Sequence, residues 1–140
     1  MSSDSIREHV QCRQMIEQDR IRVLSADDHT LIREGIAMIV NSQPDMVIVS
    51  QAAGGRDAIE QFRAHRPDVT LMDLRMPDLN GIDALVAIRA EFPEARIIML
   101  TTFESDEEAQ RALKAGACGY LLKSAPPSEL LQVIRQVHAG

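Results

Sequence analysis

The sequence predicts a doubly wound α/β domain in which five parallel strands alternate with five helices. Three observations carry that prediction. From Ile21 onward, short apolar runs alternate with segments whose apolar residues recur at helical spacing. Breaker and turn residues fall at the joints between them. The chain has 140 residues, 45% of them apolar and 26% charged, enough for one compact core and cramped for two. Strands and helices in strict alternation place crossover helices on both faces of a parallel sheet.

Each element follows in order. Residues 1–20 are polar, with apolar residues only at scattered positions such as Ile6, Val10, Met15 and Ile16, and read as a flexible or partly helical extension. Ile21–Ala26 is the first strand. Thr30–Asn41 is a helix with Leu31, Ile32, Ile36, Ile39 and Val40 along one side. Met46–Val49 is the second strand. Gly54 and Gly55 turn the chain into a helix carrying Ala58, Ile59 and Phe62. Pro67 and Asp68 introduce a third strand, Val69–Asp73. Asn80-Gly81 is a turn signal before a helix with Ile82, Leu85, Val86 and Ile88, which Pro93 ends. Arg96–Thr101 is the fourth strand. Ser105 caps the next helix, whose first turn holds Glu107 and Glu108, where the helix dipole favours negative charge. Gly116 closes that helix. Gly119–Leu122 is the fifth strand. Pro126-Pro127 starts the last helix, with Leu130, Leu131, Val133, Ile134 and Val137 as its apolar side. The strands are short and apolar on both sides, as buried parallel strands are.

Composition excludes several functions. The net charge is −6, with no cluster of Lys and Arg, so these residues are a poor partner for nucleic acid. The apolar runs, such as Ile36–Val40, fall far short of the roughly 20 residues that a membrane-spanning helix needs. Met1–Ser5 lacks a basic start and an apolar core, so no secretory signal is expected. The two cysteines, Cys12 and Cys118, form no C-x-x-C pair, which argues against a zinc site and fits a reduced, cytoplasmic setting. Of the 15 basic residues only Lys114 and Lys123 are lysines.

In an open parallel sheet, ligands sit beyond the carboxyl ends of the strands. Asp27, Asp28 and His29 follow the first strand, Asp73 ends the third, Thr101 and Thr102 end the fourth, and Lys123 follows the fifth. Singly each has a bland reading: a helix cap, a solvated acid, a β-forming threonine, a surface lysine. Their joint placement at four strand ends is what points to a site. Packed carboxylates repel unless a cation is present. Mg²⁺ takes oxygen ligands, keeps several waters and needs only one or two carboxylates. A carboxylate can also attack phosphorus to give an aspartyl phosphate, whose oxygens then need cations and hydrogen-bond donors such as Lys123 and Thr101. His29 is read as a surface residue at a helix start and stays outside the expected site.

The chain resembles the receiver domain of bacterial two-component response regulators. The resemblance rests on Asp27-Asp28, on Leu71–Gly81 with its Met-Asp-Leu-Arg-Met-Pro core, on Met99-Leu100-Thr101, and on Ala112–Ala117 continuing to Gly119–Lys123. These pieces occur in order over residues 21–139. The wording is closest to the NarL/FixJ subfamily, whose receivers precede a LuxR-type helix-turn-helix: Asp27-Asp28-His29, Thr101-Thr102-Phe103 and Val133–Gly140. The resemblance implies a flavodoxin-like sheet of order 2-1-3-4-5 over residues 21–140. It implies that Asp73 is the phosphoacceptor, that Asp28 and Asp73 hold Mg²⁺ with Asp27 acting mostly through water, and that the Arg75 backbone carbonyl is a further ligand. Thr101 and Lys123 would contact the phosphoryl group, and Tyr120 would be the aromatic that follows Thr101 in switching. The implied partners are a sensor histidine kinase and a second copy of the chain, with the homodimer favoured by phosphorylation. DNA would be reached only through a C-terminal domain that is absent from these residues, and the protein would control transcription rather than act as an enzyme. The alternative is a stand-alone receiver working by protein–protein contact.

The sequence departs from the family pattern at three places. Thr30 stands where many relatives have Pro, and is expected to cap the helix. Thr102 is bulkier than the usual small residue and narrows the approach to Asp73. Ser124 replaces the usual Pro after Lys123. Two other functions with this layout fit less well. An Asp-nucleophile phosphatase needs Asp-x-Asp, but Arg75 stands where the second acid belongs. A nucleotide- or flavin-binding module needs a phosphate-cradling loop after the first strand, where Asp27 and Asp28 would repel phosphate.

Overall fold

The computed structural model describes residues 20–102 and 105–140. The expected N-terminal extension, up to residue 19, and Phe103 lie outside the described residues. Five strands run β1 (Ile21–Ala26), β2 (Met46–Ala52), β3 (Val69–Asp73), β4 (Ile97–Thr101) and β5 (Gly119–Leu122). Between and after them come α1 (Thr30–Asn41), α2 (Gly55–His65), α3 (Gly81–Glu91), α4 (Asp106–Lys114) and α5 (Pro127–Ala139). The strands form one parallel sheet of order β2-β1-β3-β4-β5, as the sequence predicts. Among the described residues no helix is long and apolar enough to cross a membrane.

Strand alternation divides the core in two. Leu24, Met72, Ile97 and Met99 face α2, α3 and α4, where Ala58, Phe62, Ala84, Leu85, Ile88 and Ala112 meet them. Val23, Leu71, Ile98 and Leu100 face α1 and α5, where Ile36, Val40, Leu130, Leu131 and Ile134 complete the second layer. Side chains at successive strand positions point to opposite faces, so a strand buried on both faces is mostly apolar, with Thr70 a buried polar exception inside β3. The central strands β3 and β4 are buried along their whole length.

Several joints differ in detail from the sequence reading. The second strand extends to Ala52, and the fourth begins at Ile97 rather than Arg96. Thr30 does not cap α1. His29 is the N-cap residue and makes no side-chain cap, while Thr30 is already helical. Gly54 and Gly55 are not needed for an unusual backbone conformation, since Gly54 is extended at φ −164°. They are needed for space: a Cβ on Gly54 would stand 2.6 Å from an Asp78 carboxylate oxygen, and one on Gly55 2.3 Å from the Leu79 carbonyl. Gly116 does have the left-handed φ, 110°, expected of a glycine closing α4. Ser105 Oγ accepts a bond from Glu108 N as predicted, and Asn80 caps α3 by accepting from Asp83 N at 2.9 Å.

Candidate acidic pocket at the carboxyl ends of the strands

The sheet order places β1, β3 and β4 side by side, so their last residues share one edge. Asp27 continues β1 and is 1% exposed, Asp73 ends β3 at 3%, and Thr101 ends β4 at 2%. Lys123 follows β5, its backbone amide donating to the Thr101 carbonyl at 2.7 Å. This bond carries the lysine stem over the end of β4 and into the pocket. Lys123 Nζ lies 2.7 Å from Asp27 Oδ2 and 3.1 Å from Asp73 Oδ1, with all three side chains buried.

One ammonium thus stands between two carboxylates. Two negative charges and one positive leave an excess negative charge in a dry place, and the two acids divide the lysine unequally. Burial, then the Asp27 charge, pushes the Asp73 carboxyl up to about 6 against the Lys123 attraction. Burial raises Asp27 as well, but hydrogen bonding to Lys123 and from the His29 amide outweighs it and holds that carboxyl below its ordinary value. The His29 amide donates to Asp27 Oδ1 at 2.9 Å. Asp73 Oδ1 accepts from Arg75 N at 3.3 Å, while Asp73 Oδ2 is buried with no hydrogen-bond partner. An unpartnered buried carboxylate oxygen is costly unless something with positive charge meets it.

Asp28 sits at the rim. Carboxylate oxygens of Asp27, Asp28 and Asp73, with a ring nitrogen of His29, all lie within 4.8 Å of one another. The carboxylates of that donor set fit a hard cation, with the exposed Asp28 side open to water. The imidazole is the exception. His29 Nδ1 is 3.1 Å from Asp27 Oδ1 and 3.2 Å from Asp28 Oδ1, and its ring is 60% exposed. The sequence reading left His29 out, and its place directly after two acids was the available signal.

Arg75 and Tyr120 complete the expected set. The Arg75 guanidinium leaves the pocket and pairs with Glu108 Oε1 on α4 at 2.7 Å. Sequence reasoning had no signal for that contact, which joins positions 33 apart. Tyr120 is opposite Met99 in the ladder, and Thr101 is opposite Leu122. Thr101 and Tyr120 therefore lie on one face of the sheet, as diagonal neighbours, with the Tyr120 ring against the α2–α4 layer of the core and its hydroxyl buried without a hydrogen-bond partner. Thr102 is exposed beside Thr101. A cavity of about 800 Å³, lined by Phe62, Arg66, Phe92, Arg96 and His138 among others, lies at the opposite, amino-terminal end of the strands, away from the acids.

A five-stranded sheet of this order with acids, a threonine and a lysine at its carboxyl edge defines a class, and comparison with known proteins names it. The response regulator receiver domain family matches residues 23–135. The transcriptional regulatory protein YxjL of Bacillus subtilis is 42% identical over 125 residues, which are 89% of this chain and 57% of that protein. The signal receiver domain of the response regulator NarL from Mycobacterium tuberculosis superposes with a TM-score of 0.84 at 31% identity, covering 87% of this chain and 98% of that one. A CheX–CheY–BeF₃–Mg²⁺ complex from Borrelia burgdorferi contains a chain that superposes at 0.79 with 26% identity, covering 84% and 98%.

This chain belongs to the response regulator receiver family, in its NarL/LuxR branch. It spans little more than half the length of the curated relative it matches. Response regulators are regulatory proteins, not enzymes; their receivers interact with histidine kinases and bind Mg²⁺ at an acidic pocket.

Proposed function

We propose that this chain is a phosphorylation-switched receiver in which Asp73 is the phosphoacceptor. The observation that carries the reading is Asp73 Oδ2, buried and without a hydrogen-bond partner at the end of the middle strand, on a carboxylate that shares Lys123 with Asp27. This oxygen attacks the phosphorus of a sensor kinase phosphohistidine, or of acetyl phosphate. A new O–P bond forms as the donor's P–N or P–O bond breaks, and the leaving group keeps the bonding electron pair. Asp28, Asp73, the Arg75 carbonyl and, through water, Asp27 would hold Mg²⁺, which supplies positive charge to the transferred oxygens. Lys123 holds a second positive charge on the same side, and the Thr101 hydroxyl donates to a phosphoryl oxygen. As Thr101 moves toward the phosphoryl group, Tyr120 shifts against the α4 side of the core and reshapes the face made by α4, β5 and α5. The altered face favours a homodimer.

The relative's greater length and its description as a transcriptional regulator support output through a helix-turn-helix domain beyond these residues; the protein would act in the cytoplasm. Intact mass with and without acetyl phosphate and Mg²⁺ tests the central step. The wild-type chain is expected to gain one phosphoryl group, only with Mg²⁺, and Asp73→Asn none. Wild-type stoichiometry in Asp73→Asn would sink the assignment.

A further inference from the structure

The loop of residues 74–80, between β3 and α3, carries Arg75, whose carbonyl is a ligand of the proposed Mg²⁺ site. Its near end is tied to the sheet: Leu74 N donates to Leu100 O at 2.9 Å, and Gly81 N donates to Leu74 O at 2.8 Å. Its far side is tied to a different element. The N-cap residue of α2 is Gly54, which has no side chain to offer. The first amides of a helix have no partner within it. Here they are met from another part of the chain. Asp78 Oδ1 accepts from Gly55 N at 3.0 Å and Asp78 Oδ2 from Arg56 N at 3.2 Å.

The fit is close enough to dictate the sequence on both sides. Only glycine at 54 and 55 lets Asp78 and Leu79 approach the helix start, because a Cβ at either position would overlap them. The Arg56 amide, opposed by a little burial and joined by the Gly55 amide, holds the Asp78 carboxyl below its ordinary value. A carboxylate at a helix N-terminus also meets the positive end of the helix dipole. Asp78 therefore fastens the outer part of the site loop to α2 while the β3–β4 ladder fastens its base. Arg75 lies between the two fastenings, two residues from Asp73.

We propose that Asp78 is a positioning residue for the acidic pocket: by capping α2 from within the site loop, it holds the Arg75 carbonyl where Mg²⁺ is received. The role rests on the reading of Asp73 as phosphoacceptor for its functional meaning, and on metal affinity alone for its test. Groups that orient metal ligands without touching the metal typically change affinity by an order of magnitude or more.

The experiment titrates Mg²⁺ by calorimetry into the full chain as wild type, Asp78→Ala, Asp78→Asn, Gly54→Ala and Arg135→Ala, and measures the melting temperature of each. Asp78→Ala is expected to weaken Mg²⁺ about tenfold. Asp78→Asn keeps an acceptor oxygen for one amide and is expected to recover most of the loss. Gly54→Ala displaces the Asp78 carboxylate without removing it and is expected to weaken Mg²⁺ in the same direction, which keeps the test open should Asp78→Ala fail to fold. Arg135→Ala breaks the surface pair with Asp45 at 2.8 Å, far from the loop, and is expected to leave Mg²⁺ binding unchanged. If Asp78→Ala and Gly54→Ala melt lower yet titrate as wild type, Asp78 is a helix cap only and the proposal fails. A wild-type chain that binds Mg²⁺ but takes no phosphoryl at Asp73 overturns the proposed function instead.

Discussion

Asp73 is held in tension by its neighbours. Burial and then the Asp27 charge push its carboxyl up to about 6, against the pull of the Lys123 that the two acids share. A carboxyl whose folded pKa lies above its ordinary value of 3.8 binds its proton more tightly in the folded chain. Its contribution to stability is complete below about pH 4 and is lost as pH rises through about 6. Asp27 has the opposite sign: its contribution is present above its ordinary value and is lost as pH falls below it. In metal-free buffer the stability of wild type is therefore expected to decline between about pH 4 and pH 6. Asp73→Asn removes the repelled charge, so it should abolish that decline and unfold at higher urea than wild type at pH 7, by on the order of 1–2 kcal/mol. Urea melts with chelator across that pH range check both points. Parallel curves for the two proteins would show that Asp73 is not the strained group. Mg²⁺ should flatten the wild-type curve, because a cation among the acids restores the ionised form of Asp73.

At the scale of elements, the site loop is gripped by α2 through Asp78 and by α4 through Arg75. The Arg75–Glu108 pair is 69% exposed on the Arg side, so its stability value is small, about 0–1 kcal/mol. Its place matters more. Arg75 stands two residues beyond Asp73, and under the proposed function its side chain would border the path by which water reaches an acyl phosphate. Arg75→Asn puts a short amide there and frees Glu108. Its phosphorylated form is expected to lose the phosphoryl group several-fold faster than wild type, with melting temperature nearly unchanged; equal decay would show that Arg75 does not gate water. These grips also mark the limit of what the sequence discloses. The strands and helices were legible because period-2 and period-3.6 patterns are local, and the strand-end residues were legible because parallel topology puts all strand ends together. Asp27, Asp28, Asp73, Thr101 and Lys123 do meet at one edge. What was not legible depends on partners 22 to 33 residues away: Asp78 on Gly55 and Arg56, and Glu108 on Arg75. Gly54-Gly55 looked like a turn because a glycine pair carries the same letters whether backbone freedom or empty space is what the fold requires. Thr30 looked like a cap because threonine is a favoured N-cap residue, whereas His29 takes that position and Thr30 is the first helical residue.

At the scale of the whole molecule, the large exposed apolar side chains among the described residues lie on three helices: Leu31 and Met38 on α1, Val86 on α3 and Leu113 on α4. Leu31 and Met38 lie seven apart on α1, at 83% and 76% exposure, and Leu113 lies on α4 at 53%. Residues seven apart share a helix face, so the α1 pair is a coherent stripe, beginning beside Asp28 at the pocket. Leu113 belongs instead to the face that Tyr120 borders. The pocket and that face are connected through the sheet: Thr101 ends β4, Tyr120 is its diagonal neighbour on β5, and the Tyr120 hydroxyl is buried without a bond to hold it. A ring so placed has packing on one side and no polar anchor, which lets two positions lie close in energy. A phosphoryl group that binds one of them better shifts the balance by its difference in affinity for the two. The isolated chain with beryllofluoride and Mg²⁺ is accordingly expected to sediment more as a dimer than without them. Leu113→Glu should weaken that dimer, since a charge at an interface centre is costly to desolvate, and Leu31→Glu should not. Asp73→Asn should abolish the response, and Tyr120→Ala should blunt it while leaving beryllofluoride occupancy intact. If Leu31→Glu is the variant that prevents association, the dimer forms on α1 and the α4–β5–α5 face is not where the signal leaves the domain. If association is indifferent to beryllofluoride while Asp73 is demonstrably occupied, the route through Thr101 and Tyr120 is wrong altogether.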